Sequence, residues 1–308
     1  AGLTKRPPSA GTEVFTVDAA GNSSSTIPAF DSAFAVNFLL NTIPASSGQE
    51  NLMYLRKGST DYIKLDSNAG NGSNSNSVWD SNVGWGKNFN SSFCSWMWAS
   101  YSGAVGRTHY GTGVAHDIAH NLGQTPEMMW VRAQGPTGAT VNSAVYHKAL
   151  PSNVDLQLNQ YYTYPATDTT AFNSTAPTST HYTVGTSTRT NNDGTTYFVM
   201  LYASVDGISK VGSFSGSNSE QTITCGFQPR FLLVKQYAVT SGSVSGDWVI
   251  VDTIRGWGSG NDKIRHLNST SSISDADVGA PTSTGFTLTG DNNDWNQSGK
   301  SYIYYAHA

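Results

Sequence analysis

The sequence predicts an all-β protein: three tandem antiparallel β-sandwich or jelly-roll-like modules of about 100 residues each. Three observations lead there. Helical periodicity is nearly absent along the 308 residues. Short runs rich in Val, Ile, Tyr, Phe, Trp and Thr recur between clusters of Gly, Asn, Asp, Ser and Pro, as pleated, half-buried strands require. The chain also repeats itself, since Ala176-Pro177-Thr178-Ser179-Thr180 returns as Ala280-Pro281-Thr282-Ser283-Thr284 about 104 residues later. That period is too long for a solenoid unit and marks copies of a whole domain.

The elements follow in order. In the first copy, Phe34 to Leu40 takes the place of the strands that follow Pro126 and Pro229, and Phe93 to Ala99 forms a closing aromatic strand. In the second, Met128 to Val131, Ala144 to Tyr146 and Tyr197 to Tyr202 read as strands. In the third, Phe231 to Lys235, Trp248 to Val251, Phe286 to Leu288 and Tyr302 to Tyr305 do so. Turn signals separate them at Asp193-Gly194, Asp206-Gly207, Ser245-Gly246 and Ser298-Gly299. Runs that are nearly all apolar, such as Phe231-Leu232-Leu233-Val234, call for cover on both faces. Module boundaries fall at 1–104, 105–209 and 210–308, the first copy being the most divergent. Short joints at Ser100 to Arg107 and Ser204 to Lys210 suggest modules stacked in a row, each standing on its own core. Ser67 to Ser77, rich in Asn, Ser and Gly, reads as a surface loop.

Charged residues make up 12% of the chain and the net charge is −4. With no basic stripe, nucleic acid is not an expected partner. No apolar run approaches the length of a membrane span, and the first residues carry no apolar signal region. Cys94 and Cys225 stand at non-equivalent positions, which excludes a disulfide built into every copy and suits two buried thiols made in a reducing cytosol. Lys5 and Arg6, followed by Pro7-Pro8, form a short N-terminal arm and a candidate docking element.

Catalytic signatures are missing, and the chain reads as a non-enzyme that uses no cofactor. His116 and His120 share the spacing of a helical zinc motif, but Asp117 replaces the glutamate base and Gly123 and Pro126 would stop a helix. Asp291 to Asp294 and Asn191 to Gly194 could offer oxygen ligands to calcium, but Asn and Asp favour such turns on backbone grounds alone. No metal site is therefore expected. The remaining candidates are aromatic side chains in loops: Tyr161, Tyr162 and Tyr164 in the second module, Trp257 between glycines and Trp295 beside the acidic loop in the third, and Trp85 between Gly84 and Gly86 in the first. Flat rings in loops stack on sugars or anchor subunits.

Two ordered motif sets carry a family resemblance. One runs from His120 to Val131, then Ala144 to His147, Leu158-Asn159 and Ala176 to Thr180. The other runs from Gly226 to Lys235, then Asp247 to Thr253, Arg255-Gly256, Leu267-Asn268, Thr282 to Phe286, Ser298-Gly299 and Tyr302 to Tyr304. They resemble the repeated β modules of tailed-phage virion proteins, above all the tail-fibre-like proteins of marine and cyanobacterial phages. The likeness covers residues 105–308 well and 1–104 weakly. It implies a phage virion structural protein, made in the host cytoplasm and placed on the tail or particle surface. The implied partners are other virion proteins, further copies of the chain with a homotrimer favoured, and a host-surface glycan. A capsid decoration or head-fibre protein is the alternative within that class, and a soluble lectin or carbohydrate-active enzyme the alternative outside it. Unlike the longer members, the sequence shows neither a lectin-like sandwich ahead of the modules nor a coiled-coil stalk.

Overall fold

A computed structural model describes residues 8–19, 28–43, 48–58, 60–79, 82–89, 92–134, 142–160, 166–239, 246–271, 274–290 and 292–308. The chain is all-β and antiparallel, as the alternating sequence requires. The first third contributes β1 (Phe15–Asp18), β2 (Phe30–Asp31), β3 (Phe38–Thr42), β4 (Leu52–Leu55), β5 (Asp61–Lys64), β6 (Gly72–Ser73), β7 (Gly84–Trp85) and β8 (Cys94–Trp98). Next come β9 (Ala104–Tyr110), β10 (His116–Ala119), β11 (Met128–Gln134), β12 (Ala144–His147), β13 (Val154–Asp155), β14 (Ala166–Thr167), β15 (His181–Val184) and β16 (Thr196–Tyr202). The last third holds β17 (Ser209–Ser215), β18 (Gln221–Thr224), β19 (Phe231–Val239), β20 (Trp248–Asp252), β21 (Asp262–His266), β22 (Ser274–Ala276), β23 (Pro281–Thr282), β24 (Gly285–Leu288) and β25 (Lys300–His307). Helix is confined to single turns, so no helix among the described residues is long and apolar enough to cross a membrane.

Three main sheets have the orders β1-β8-β3-β4-β5-β6, β9-β16-β11-β12 and β17-β25-β19-β20-β21-β22. The pair β13-β14 extends the second by a bridge from Val145 to Leu156. Each main sheet carries a small second layer, β2-β7, β10-β15 and β18-β24-β23 respectively. The registers correspond as well. Phe38 pairs with Trp98, Met128 with Tyr202 and Phe231 with His307, so these three pairs occupy one position in the three sheets.

Side chains alternate across a strand, and here both faces of the central strands are apolar. Leu39, Met129 and Leu232 point to the second layer of their own sheet and form three separate local cores. Their neighbours Phe38 and Leu40, Met128 and Trp130, and Phe231 and Leu233 point the other way and meet in one central core. Rings join every pair of sheets there. Phe38 lies 5.9 Å from Tyr202, Trp98 lies 5.5 Å from Phe231, and Tyr202 lies 4.8 Å from Tyr305. The expectation of modules in a row, each on its own core, is therefore corrected. A two-layer sandwich would leave one apolar face of each main sheet in water, and the three faces cover one another instead.

Hydrogen bonds also cross the seams between sheets. Trp96 Nε1 donates to Asp252 Oδ2 at 2.9 Å, and Trp248 Nε1 donates to the Gln157 carbonyl at 3.0 Å. Arg265 Nε donates to Asn51 Oδ1 at 2.8 Å, and Asn51 Nδ2 donates to the Leu267 carbonyl at 3.1 Å. Arg132 Nη2 donates to the carbonyls of Ser67 and Ala69 at 2.9 and 2.8 Å. The Asn/Ser/Gly stretch expected to be a free surface loop is thus held at its start by the second sheet. Cys94 and Cys225 are both buried, free thiols.

Leu55, His147 and Asp252 face Phe38, Met128 and Phe231 across their ladders and so are equivalent. His147 Nδ1 accepts from the Ala149 N–H at 3.1 Å, while the buried Nε2 has no partner among the described residues. Burial pushes this imidazole down to about 3, with the Lys148 charge adding to the effect.

Two outcomes follow from this packing. Heat or urea should unfold all three sheets in one transition, seen as coincident near-UV and far-UV signals. Trp98→Ala should lower that whole transition by about 3–5 kcal/mol rather than split it. The folded His147 pKa lies below the unfolded value, so the stability it conditions is complete above about pH 6.5 and is lost as pH falls towards 3. His147→Leu, which installs the residue found at position 55, should therefore gain roughly 2–3 kcal/mol on the native protein at pH 4.5 relative to pH 7.5, read by urea titration at both values.

Candidate functional site

The loop tryptophans are not surface platforms. Trp85 is fully buried, with Phe30 stacked 5.7 Å away and Phe89 at 5.0 Å. A Cβ on Gly84 would come within 1.8 Å of the Phe30 carbonyl oxygen, so the glycine that suggested an exposed turn serves close strand contact instead. Trp257 and Trp295 are each 3% exposed and belong to the local core of the third sheet. Gly256, at φ 106°, closes the turn Thr253–Arg255 in the left-handed region and turns Trp257 inward towards Phe286, 6.3 Å away. The stacking role expected of these three rings is corrected accordingly: their faces are covered. Tyr161, Tyr162 and Tyr164, and the arm residues Lys5 and Arg6, lie outside the described residues.

The other expectations resolve into turns. His116 and His120 lie on and just after a strand, and their ring nitrogens meet backbone oxygens of Val114 and Thr178 at 2.8 and 3.0 Å. Asn191 Oδ1 accepts from the Thr112 N–H at 2.8 Å, and Asn296 Oδ1 accepts from the Ser217 N–H at 3.1 Å. These two buried amides pin the loop before β16 and β25 to the end of β9 and β17, a repeated device that composition alone concealed.

One titratable cluster forms near the acidic loop. Ligand-type atoms of Asp247, His266 and Asp294 lie within 4.8 Å of one another. His266 Nδ1 stands 3.2 Å from Asp247 Oδ2, and its Nε2 stands 3.9 Å from Asp294 Oδ2. Asp247 Oδ1 accepts from Asn268 Nδ2 at 2.7 Å, and Asp294 Oδ1 accepts from the Asp247 N–H at 2.9 Å. Buried Lys235 faces the same carboxylates and donates to the Gly246 carbonyl, and burial pushes its ammonium down to about 7. These carboxylates already share a cation, a ring and amide donors. The cluster ties the loop before β25 to the start of β20 and the end of β21.

A cleft of about 670 Å³ lies between the first and second sheets. Its walls include Asn37, Arg56, Lys57, Arg107, His120 and Asn121, with no carboxylate among the described residues that line it. Two glycines allow the two sheets to approach closely beside it. A Cβ on Gly58 would meet Phe198 at 2.5 Å, and one on Gly106 would meet Leu55 at 2.4 Å. Asn37 Oδ1 accepts from the Gly106 N–H at 2.7 Å, which turns its NH₂ group to other partners. Arg56 lies 5.4 Å over Trp79 and donates through Nε to the Val36 carbonyl. Arg107 lies 5.8 Å over Tyr182 and donates through Nη1 to the Ala119 carbonyl, while its buried Nε has no partner among the described residues. His120 Nδ1 accepts from the Leu122 N–H at 3.3 Å, so Nε2 carries the proton that Thr178 receives. Burial first, and the Arg107 charge after it, lower this imidazole and leave it a neutral wall.

Sequence reasoning missed this cleft because its residues come from four separate stretches and match no motif. A comparison of copies carried the signal. Arg107 pairs with Val199 as Asp18 pairs with Ser95 and Gly212 with Tyr304, so the arginine has no basic counterpart.

Fold and site together define an all-β protein with three like-ordered sheets around a common aromatic core and one cationic cleft at a seam. The chain belongs to the family described as a domain of unknown function (DUF7483), whose model matches residues 66–308, from just after β5 to the end of β25. No curated protein matches the chain.

If the loop tryptophans are core, Trp257→Ala should lower stability by about 3–5 kcal/mol, visible as a large fall in Tm and loss of near-UV ellipticity. A variant with unchanged Tm would return the ring to the surface.

Proposed function

We propose that this chain is a non-enzymatic structural protein of a phage particle, a tail-fibre or appendage component built from three copies of one β module. The observation that carries this reading is the recurrence of one strand order in three sheets that bury their second faces against each other. Such a block suits load-bearing and docking: most of its aromatic area is spent inside, in rigid sheets without a hinge-like joint. The joints are tight turns, bridged at Tyr101–Ala104 and Val205–Ser209. The ordered motifs that resemble phage virion modules supply the biological setting.

A non-enzymatic role is supported by the state of the buried ionisable groups. Asp155 and Asp168 hold Arg189, Asp252 holds Arg255 and the Trp96 indole, and Lys235 meets a carbonyl. Each acts as a local brace. Association of copies through aromatic faces finds little support, because the large exposed apolar residues among those described are Val83, Tyr110, Val114 and Ile254, at scattered positions. The three sheets of one chain do internally what a homotrimer's subunits would do, and the proposed unit of assembly is the monomer.

Antibody labelling of intact particles, imaged by electron microscopy, tests the placement. Label on the tail or on slender appendages is expected. Label spread over the head would make the chain a decoration protein, and its absence from particles would overturn the virion reading. Light scattering after size exclusion should give a mass near the chain's own 32.8 kDa.

A further inference from the structure

One ladder row near the end of β3 sets the first sheet apart from its two counterparts. Asn41 pairs with Ser95 on one side and with Leu52 on the other. By register the same row is Val131 with Val199 and Ala144 in the second sheet, and Val234 with Tyr304 and Val249 in the third. All six of those residues are buried in the local cores of their own sheets. In the first sheet the row is polar, and Leu52 at its edge is only partly buried. Asn41 shares the face of Leu39, which looks towards the second layer. It is 1% exposed, and its Nδ2 donates to the Cys94 carbonyl at 3.1 Å and to Ser95 Oγ at 2.9 Å. Its Oδ1 is buried and has no partner among the described residues. A buried acceptor left unmet is destabilising, so a purely structural row calls for an apolar residue here, as the other two sheets have.

Asn41 lines a cup of about 270 Å³, together with Glu50, Leu52, Tyr62 and Phe93. We propose that this cup binds one ring of a neutral hydroxylated molecule, a single sugar unit or a cyclic polyol, with a ligand hydroxyl donating to Asn41 Oδ1. Since Nδ2 is spent on Cys94 and Ser95, the oxygen is the polar group that Asn41 offers to the cup, and it calls for a donor. Tyr62 and Phe93 are partly exposed and supply apolar surface for the C–H face of a ring. Tyr62 lies 5.5 Å from Tyr54 and Phe93 lies 4.8 Å from Phe89, so both are held before a ligand arrives. Glu50 is the one acid among the described wall residues, no basic residue joins it there, and it is already paired with Lys64. A charged ligand would therefore be desolvated without a free counter-charge, which favours a neutral one. The volume lies just below the about 300–1,000 Å³ of drug-sized sites and suits one ring rather than a chain. This inference does not depend on the virion reading, since it rests on the first sheet alone.

The test is saturation-transfer NMR titration of the full chain with glucose, galactose, mannose and myo-inositol, beside methylammonium chloride and sodium acetate as charged probes. At least one neutral probe should saturate a single site that neither charged probe fills. Strongest binding by a sugar would identify a saccharide as the source, and strongest binding by myo-inositol would identify a cyclic polyol. Asn41→Val combined with Ser95→Val installs the row of the second sheet. This double variant should weaken binding about tenfold, the value of one hydrogen bond, with Tm unchanged or raised because both bonded side chains leave together. Phe93→Leu, at a partly exposed position, should weaken binding several-fold without affecting the fold. Tyr110→Ala, at an exposed ring of the second sheet, should leave it unchanged. No saturable binding of any neutral probe, binding of a charged probe in their place, or equal affinity in the native protein and both cup variants would overturn the proposal.

Discussion

Everything in this molecule depends on the second apolar face of its main sheets. A strand such as β3, β11 or β19 buries alternate residues against its own small layer, and that alone would make an ordinary sandwich. The residues between them are equally apolar and equally buried. Two rows of large side chains on one strand demand two dry environments, and the second is supplied by the other two sheets. The low share of charged residues fits the same demand, since a chain that buries both faces of three sheets has fewer positions left for charge.

A core shared by three similar sheets raises a problem of order. Apolar contacts are non-directional, and three like faces could meet in more than one arrangement. The seams differ in their polar contacts. Asn51 with Arg265 and Trp96 with Asp252 mark one seam, Arg132 with the Ser67 and Ala69 carbonyls marks another, and the Trp248 indole with Gln157 marks the third. Buried polar contacts of this kind add little net stability, but a wrong pairing would strand an arginine or an indole N–H without a partner. Their contribution is to make one arrangement better than its alternatives. Tyr101 does the same beneath the core, where its hydroxyl meets His307 Nε2 at 3.0 Å while burial keeps that imidazole neutral, down to about 3.

The strands were legible in the sequence because β-branched and aromatic runs between turn residues have few other uses. The unbroken apolar run at Phe231 to Val234 announced cover on both faces, and the structure provides it. What covered the second face was not legible, because periodicity identifies buried positions without naming their neighbours. Trp85, Trp257 and Trp295 were misjudged for a related reason. Glycine beside an aromatic ring marks both an exposed turn and a place where backbones touch, and Gly84, where a Cβ would come within 1.8 Å of the Phe30 carbonyl oxygen, belongs to the second kind. The amides of Asn191 and Asn296 looked like loop composition and are buried braces.

Three sheets with one strand order do not carry the same chemistry at equivalent positions. Leu55, His147 and Asp252 stand at one ladder position, and Asn37, Glu127 and Arg230 stand one residue before the strand residues opposite them. Lys148 meets Glu127 in the second sheet and Arg255 meets Asp252 in the third. The first instead uses Gly58 and Gly106, where a Cβ would meet Phe198 at 2.5 Å and Leu55 at 2.4 Å, to bring its neighbour close. Ladder register fixes where a side chain stands and which face it shares, and leaves its chemistry free to differ from seam to seam.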